Sequence, residues 1–319
     1  MKARLRRSDL VIVAALAWLA LWPILITAWA AFESPAGPGA AFVEFARRAG
    51  EWTALERSLV VAFASVGLAA AVGVPLAFLF ARTEFRGRRV LGELVALPVA
   101  LPPLVGVIAF LYLWGETGLG THLVMAALGL RTAPWRLTGL GAILLVHTYS
   151  MYVYFYLFVR AALLRFDSEL VEAAASLGAG RARTFFRVTL PALRPALSGA
   201  AVLTFLTALG SFSAPYIFGG SYRVMPTQIL ASKQNGNLDL AEVETIVLTL
   251  VALAALALAR WLERERTASR RRGTARPPPR RAARAAAKPS ASAAAVAAPA
   301  MASELTIGRS ASVLPKRIR

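Results

Sequence analysis

Few side chains in this sequence could carry out catalysis or bind a metal. Cysteine is absent and the only histidines are His122 and His147, which excludes thiolate zinc sites, disulfides and cysteine nucleophiles. A phosphate-binding loop needs Gly-Lys followed by Ser or Thr, and no lysine here follows a glycine. We therefore expect no enzymatic activity, no metal site and no resident cofactor in this chain.

One polar segment, Phe166–Pro191, has residue types that suit a rigid docking element. Asp167 or Ser168 can cap a helix whose first turns carry Glu169 and Glu172, where acidic groups complement the helix dipole. The pattern predicts a short helix at the start of this segment.

A glycine turn and a second helix follow in the same segment. Gly178 lies directly after Leu177, where a left-handed helix end favours glycine. The next residues predict a short helix over Arg181–Val188, which carries Phe185 and Phe186. Apolar side chains on such a loop indicate a surface for a partner. The alternative is an interfacial hairpin without a partner.

Three other groups of residues could line a pathway through a membrane. Prolines must break the third apolar run, polar groups interrupt the fourth, and serines with a proline fall in the fifth. Packing of the helix bundle is the alternative for the prolines, and for His147 we favour a hydrogen bond between helices. The candidates are Pro98, Pro102, Pro103, His147, Tyr149, Ser211, Ser213 and Pro215.

The elements that hold these residues are apolar runs of membrane length. The chain has 319 residues, of which 57% are hydrophobic, and its mean hydropathy is +0.58. A bilayer core needs roughly 20 apolar residues in a helix. Such runs are Val11–Phe32, Leu59–Ala81, Val90–Trp114, Leu140–Leu163, Leu197–Phe218 and Thr245–Leu262. The sequence thus predicts an all-α polytopic membrane protein with six transmembrane helices.

Two apolar stretches allow another interpretation. The first run follows a basic leader, as in a signal peptide, but it is longer than the roughly 7–15 apolar residues of that class, so we favour a retained helix. Leu123–Leu130 is too short to span, and we expect it at an interface or inside a loop.

The charges predict the orientation of the six helices. Most of the 36 lysines and arginines precede the first run, separate runs two and three or four and five, or follow run six. Positive residues concentrate on the cytoplasmic side. Both termini are therefore expected in the cytoplasm of a multi-pass protein in a bacterial plasma (inner) membrane.

The residues after the sixth run form a basic tail. From residue 263 to 319 the composition changes to Arg, Ala, Pro and Ser. Such a stretch has too few large apolar side chains to offset the entropy of ordering, so we expect it to be disordered. Binding of nucleic acid through this tail is an alternative, which the lack of interleaved aromatic residues disfavours.

The segment Glu172–Pro191 resembles the cytoplasmic coupling loop of permease subunits of type I ATP-binding-cassette importers. That family's motif is Glu-Ala-Ala, three residues, Gly, nine residues, Ile, one residue and Leu-Pro. This chain carries Glu172, Ala173, Ala174, Gly178, Val188, Leu190 and Pro191 at those spacings. Val188 in place of Ile is the single departure. The resemblance extends from about residue 52 to 262.

The resemblance implies partners for this chain. The helix around Glu172–Gly178 would dock on a cytoplasmic ATP-binding-cassette ATPase dimer, with Phe185 and Phe186 packed against the ATPase or the permease's own helices. That ATPase would bind ATP and Mg. A second permease, identical or paralogous, would complete the pathway, and an extracytoplasmic solute-binding protein would deliver the solute. Membrane lipid surrounds the helices, and no nucleic acid is expected.

The resemblance also implies an organisation and a cargo. Residues 1–51 would hold an accessory first helix and the start of an external loop, 52–262 the permease core with the coupling loop at 164–196 between helices four and five, and 263–319 the tail. The second half most resembles permeases for ferric iron, polyamines and related small ions.

A secondary transporter or channel that works without ATP is the rival function. Proton- or sodium-coupled transporters place carboxylates inside the bundle. The apolar runs contain one acidic residue, Glu93. The sequence therefore favours an ATP-driven permease.

Overall fold

The computed structural model describes residues 7–34, 37–167 and 169–274. These residues form helices and turns, without a strand among them. The α-helices are α1 (Arg7–Phe32), α2 (Ala40–Arg47), α3 (Ala49–Arg82), α4 (Arg88–Ala96), α5 (Pro103–Trp114), α6 (Leu119–Leu128), α7 (Gly139–Leu164), α8 (Glu169–Ser176), α9 (Arg181–Thr184), α10 (Leu190–Leu209), α11 (Ser213–Phe218), α12 (Met225–Gln234) and α13 (Leu238–Thr274).

Six helical units are long and apolar enough to cross a membrane among the residues described. They are Val11–Phe32, Ala49–Arg82, Pro103–Leu128, Gly139–Leu164, Arg181–Leu209 and Leu238–Arg264. The prediction of an all-α protein with six membrane helices is confirmed. The charge-based orientation remains a prediction.

Helices α3, α7 and α10 form the centre of the bundle. Small residues recur on the buried face of α3 at helical spacing, among them Ala62, Ser65, Ala69 and Ala77. They pack against large side chains of α7, such as Phe155, and against α10. Small residues let membrane helices approach closely, so this stripe sets the distance between α3 and α7.

The third apolar run, Val90–Trp114, is not one helix. α4 ends at Ala96, a 3₁₀ turn covers Leu97–Ala100, and α5 begins at Pro103. Prolines cause the break, as expected, because they lack the amide hydrogen that a helix needs. The unit of membrane length is instead Pro103–Leu128. Within this unit Leu119–Leu128 forms the separate helix α6, and the expected place of Leu123–Leu130 at an interface or inside a loop stays a prediction.

The fifth apolar run also divides. Its helix α10 begins at Leu190, ends at Leu209, and is followed by the separate short helix α11. The predicted continuous span Leu197–Phe218 was wrong because Gly210 and Ser211 leave the helix. Glycine disfavours a helix interior, and serine competes for backbone hydrogen bonds.

Part of the basic tail is helical. α13 continues through Glu263 to Thr274, so the prediction of disorder was wrong for residues 263–274. Glu and Arg, which are good helix formers, are frequent in this stretch. The remainder of the predicted disordered tail, residues 275–319, lies outside the described residues.

The bundle has two distinct ends, which carry different elements. At one end, here called the α12 end, Phe45 of α2, Leu55 of α3, Met225 of α12 and Leu240 of α13 form one apolar cluster. At the other, the α8 end, Phe80 of α3 packs with α7 and α10 near the helix–turn segment that contains α8. The two ends define the sites described below.

Candidate functional site

The segment at the α8 end starts with a capped helix. The Asp167 carboxylate accepts a hydrogen bond from the backbone N–H of Glu169 at 3.0 Å, which satisfies one free donor of the first turn. The Glu172 side chain is exposed and makes no ion pair among the described residues. Its first-turn position favours a carboxylate, and its charge stays available to a partner.

A glycine turn closes α8. Gly178 has φ +77°, its N–H donates to the Ala175 carbonyl at 2.9 Å, and the Ala179 N–H donates to the Ala174 carbonyl at 3.0 Å. These two bonds form a Schellman motif, which requires a left-handed residue at the glycine position. The predicted turn is present, and it fixes the direction in which the chain leaves α8.

The predicted second helix does not end at Val188. α9 passes through a π-helical turn, Phe185–Thr189, and continues directly into α10. Pro191 directly follows the π-helical turn, and it has no N–H with which to continue the regular hydrogen-bond pattern of the helix. The turn at Gly178 is therefore joined to a membrane helix without an intervening loop.

The two phenylalanines of this segment have different surroundings. The Phe185 ring packs against Phe78 of α3, with centroids 5.6 Å apart. Phe186 touches Phe185 at 5.1 Å but remains 63% exposed. Of the two contacts that the sequence left open, Phe185 packs on this chain's own helix α3, and Phe186 stays on the surface.

Exposed apolar side chains form a patch on the segment, here called the α8 patch. Leu177 is 88% exposed, and Leu170 and Phe186 are more than half exposed. Ala173 is exposed, whereas Ala174, Val188, Leu190 and Pro191 are partly buried. Large apolar groups at a polar turn mark an interaction surface.

His147 joins three parts of the bundle. Its Nδ1 is 2.9 Å from the Ser65 hydroxyl of α3, and its Nε2 is 2.9 Å from the Ser211 hydroxyl. The ring is almost fully buried. A neutral imidazole has one N–H and one acceptor nitrogen, so one serine donates to the ring and the other accepts from it. The predicted hydrogen bond between helices is present.

Among the predicted pathway residues, Ser211 contacts this histidine. Ser211 lies in the break after α10, Ser213 starts α11, and Pro215 is buried within it. Tyr149, on α7, packs against Phe110 of α5, with centroids 5.7 Å apart. Pro102 and Pro103 are exposed at the start of α5, with no described contact to His147.

The chain leaves helical geometry between the membrane helix α10 and the short helix α11. Residues Gly210–Phe212 separate α10 from α11, and Ser211 is partly exposed. Non-helical backbone at membrane depth is tolerated where it is buried in protein or lines a water-filled cavity. The break is therefore a candidate for the pathway wall.

The prediction that Glu93 is the single acidic residue in the membrane helices was wrong. Glu51 and Glu244 are 2% and 0% exposed and lie in helices of membrane length. α3 begins at Ala49 and α13 at Leu238, earlier than the apolar runs, and so both carboxyls enter the α12 end. Glu93 is exposed on α4.

Polar contacts also attach the chain between α11 and α12 to α3. The Ser58 hydroxyl accepts a hydrogen bond from the Met225 N–H at 2.7 Å. Arg57 donates to the Ser221 carbonyl at 3.3 Å and covers the Tyr222 ring. Burial raises the pKa of the Tyr222 phenol, and Arg57 opposes that shift. Sequence reasoning missed Ser58, Ser65 and Arg57 because nothing local distinguishes them.

Comparison with known proteins identifies the class of this bundle. Residues 73–267 match the profile of the family described as "Binding-protein-dependent transport system inner membrane component". The chain belongs to this family. It is a permease subunit of a type I ATP-binding-cassette importer, as the loop motif predicted.

Several relatives are molybdenum permeases. A probable molybdenum permease of Haloferax volcanii is 36% identical over 206 residues, which cover 65% of this chain and 73% of that protein. The molybdenum permease ModB of Escherichia coli K12 is 32% identical over 223 residues, 67% of this chain and 94% of ModB. A putative ferric permease, FbpB 1 of Haemophilus influenzae, is 29% identical over 150 residues, which cover 47% of this chain and 24% of that protein.

Solved structures share the fold. A chain of the bacterial alginate transporter, in complex with an alginate-bound periplasmic protein, aligns with a TM-score of 0.66 at 20% identity and covers 82% of this chain and 94% of that chain. A chain of the MetNI methionine transporter in an inward-facing conformation aligns with a TM-score of 0.50 at 18% identity, over 66% and 94% of the two chains.

Proposed function

We propose that this chain is the permease of an importer for molybdate or a closely similar tetrahedral oxyanion. The observation that carries the proposal is the extent of its similarity to the molybdenum permeases, at 32–36% identity over about two thirds of the chain. The expected ferric or polyamine cargo has weaker support, since the ferric relative matches less than half of the chain.

The candidate pathway agrees with an oxyanion cargo. Ser211 and Ser213, which are partly exposed at the break after α10, offer hydroxyl hydrogen-bond donors, and the His147 ring binds Ser211 from the buried side. Such neutral donors suit the oxygens of an anion. Both buried carboxylates lie elsewhere, at the α12 end. We assign the pathway wall to Ser211, Ser213 and Pro215, with His147 holding Ser211 in place.

The α8 end is assigned to the cytoplasm. The positive-inside rule puts the basic segments between α3 and α4 and between α7 and α10 on that side. Both termini follow them to the cytoplasm, because six spans separate the two ends of the chain. The α12 end then faces outward, where residues 219–242 would meet a solute-binding protein.

The α8 patch is assigned as the docking surface for a separate ATPase, which would bind ATP and Mg. Leu170, Leu177 and Phe186 would enter a groove on that partner, and Glu172 would contact a basic group there. Because the π-helical turn continues into α10, a displacement of α8 would move α10 as a rigid body. α10 ends at Leu209, two residues before Ser211, so the same displacement would reach the candidate pathway.

A second permease, either a copy of this chain or a paralogue, would complete the pathway. Large apolar side chains are exposed on both α1 and α5, which gives the bundle surfaces for lipid and for such a subunit. The chain itself supplies no ATP site, and nucleic acid has no part in this function.

Uptake by the assembled importer tests the cargo. The chain is reconstituted in liposomes with its ATPase and solute-binding protein, and uptake of labelled molybdate and of ferric iron is measured with and without ATP. We expect ATP-dependent molybdate uptake. Uptake of ferric iron alone would contradict the cargo, and solute flux without ATP would favour a secondary transporter or channel.

Phe186→Ala is expected to weaken ATPase binding without changing the stability of the permease. Phe186 is mostly exposed, so its removal subtracts contact area from the docking surface. An aromatic anchor at an interface typically contributes about 2 kcal/mol, which predicts roughly 30-fold weaker co-purification.

Phe185→Ala is the matched comparison for this prediction. It removes the ring that packs on Phe78 and should lower the melting temperature of the permease. If Phe186→Ala retained full ATPase binding, the α8 patch would lose its assigned role.

A further inference from the structure

Two carboxyl groups are buried together at the α12 end. Glu51, in the first turn of α3, and Glu244, in α13, are 2% and 0% exposed. Gln228 and Ser232, which bind these two carboxyls, lie one turn apart on the same side of α12, so the carboxyls are neighbours. Two negative charges so close in a buried site repel strongly. The pair therefore needs a compensating charge.

The hydrogen bonds around the pair use one oxygen of each group. The Gln228 amide donates to Glu51 Oε1 at 3.1 Å, and the Ser232 hydroxyl donates to Glu244 Oε1 at 2.6 Å. Glu51 Oε2 and Glu244 Oε2 are buried without a donor among the described residues. A buried polar oxygen without a partner is costly, so one donor is missing between these carboxyls.

A proton fits this site better than a metal ion. A divalent cation needs about six oxygen ligands, whereas only the two Oε2 atoms are unused. The amide of Gln228 and the hydroxyl of Ser232 already point their donors at the carboxyls, which is the arrangement for an acceptor and not for a cation. A shared proton removes one charge and supplies the missing donor at once.

The nearby charges agree with a pair that keeps a single negative charge. Besides the two glutamates, Arg48 is the charged group that acts on Glu244 among the described residues, and it also pairs with Glu44. α12 contributes the neutral Gln228 and Ser232, and its Lys233 is exposed. On α13, Asp239 accepts a hydrogen bond from Ser34, and Glu242 is partly buried.

We propose that Glu51 and Glu244 share one proton and that this pair fastens α12 to α3 and α13. Each carboxyl is bonded to a residue of α12, Gln228 or Ser232, while the two carboxyls join α3 to α13 through the proton. Loss of the proton at high pH leaves two carboxylates in contact and loosens α12. The two carboxyls with Gln228 and Ser232 are called the carboxyl latch. If the α12 end faces outward, the external pH reaches this latch, and that consequence rests on the proposed function.

Infrared spectroscopy of the full chain in lipid nanodiscs tests the shared proton directly. The wild type should show the carbonyl stretch of one protonated carboxyl at neutral pH. Glu51→Gln and Glu244→Gln should each remove this band, because the glutamine amide supplies the donor and the remaining glutamate ionises. Glu56→Gln, at an exposed position of the same helix, should leave the band unchanged.

The pH dependence of unfolding tests the latch without using transport. Between about pH 6 and about pH 9 the wild-type melting temperature should fall by roughly 4 °C or more beyond the fall in Glu244→Gln, since only the wild type loses the shared proton. This assay needs no partner, so it is independent of the cargo and of the orientation.

Two results would overturn the proposal directly, and a third would replace it. One is a wild-type spectrum that has no band from a protonated carboxyl, or whose band persists in Glu51→Gln and Glu244→Gln. The other is equal pH dependence of unfolding in the wild type and in Glu244→Gln. If added Ca²⁺ or Mg²⁺ raised the wild-type melting temperature and both glutamine variants abolished that effect, the site would be a cation site instead.

Discussion

Gly178→Val is expected to lower transport by about 10- to 100-fold while the protein remains folded in the membrane. Gly178 has φ +77°, a conformation in which a β-branched residue is strongly disfavoured. Strain of this kind costs about 1–3 kcal/mol, and each 1.4 kcal/mol is a factor of ten. No atom lies within 4 Å of an added Cβ, so the effect comes from the backbone and not from a clash.

The reason for a functional effect is the turn's position between α8 and α10. A valine would drive residue 178 out of the left-handed region, and the two bonds that it closes with Ala174 and Ala175 would be lost. α8 would then leave its fixed direction relative to α9. An ATPase bound to α8 would no longer move α10 in a defined way, so ATP hydrolysis and uptake would become uncoupled.

Gly180→Val is the matched control for this prediction. Gly180 is two residues away, has φ −64° and also has no atom near an added Cβ, so any residue can adopt its conformation. Uptake, ATPase activity and membrane content are measured for both variants. Equal uptake by the two would show that the left-handed turn is not needed for coupling.

The parts of the coupling segment that depend on neighbouring residues were predictable from the sequence. The cap at Asp167 and the turn at Gly178 involve residues within a few positions of each other, so residue type and spacing determine them. The break near Pro102 was predictable for the same reason, since proline acts on its own helix. Assignment of the segment to a permease needed the longer motif.

Contacts between distant helices could not be predicted in this way. Ser65 is an ordinary small residue of α3 until the register with α7 places it 2.9 Å from His147. The contact made by Phe185, the first residue of the π-helical turn, was left open because the rotation of a short helix depends on its continuation into α10. The sequence shows no sign of that continuation.

The starts of α3 and α13 show that hydropathy alone can place the beginning of a membrane helix too late. Polar residues such as Glu51, Glu56 and Arg57 end an apolar run, and so the predicted second span began at Leu59. In the structure α3 begins ten residues earlier, at Ala49, because α12 supplies the hydrogen bond that makes burial of Glu51 tolerable. Hydropathy therefore leaves Glu51 outside the predicted span, and it cannot predict the buried carboxyl pair.

Gly73→Ala is expected to destabilise the bundle, whereas Gly67→Ala, which adds the same methyl group elsewhere on α3, is not. A Cβ at residue 73 would clash with the carbonyl oxygen of Tyr152 and lie 2.7 Å from the Cβ of Phe155. Neither atom can rotate away, because one is backbone and the other is attached to it. α3 and α7 would have to separate, which would open the contacts of Ala69 and Ala77 on the same stripe.

Overpacking of this kind costs about 1–3 kcal/mol, so the melting temperature should fall by roughly 5 °C or more.

Gly67→Ala is the control, because it adds the same methyl group to the same helix at a position with no atom within 4 Å. Alanine is the better helix former, and that variant should unfold at the wild-type temperature or above it. Thermal unfolding of the three proteins, followed by size-exclusion chromatography, separates the two cases. Equal melting temperatures for both variants would mean that α3 and α7 do not approach at Gly73, and the register that places Ser65 beside His147 would lose its support.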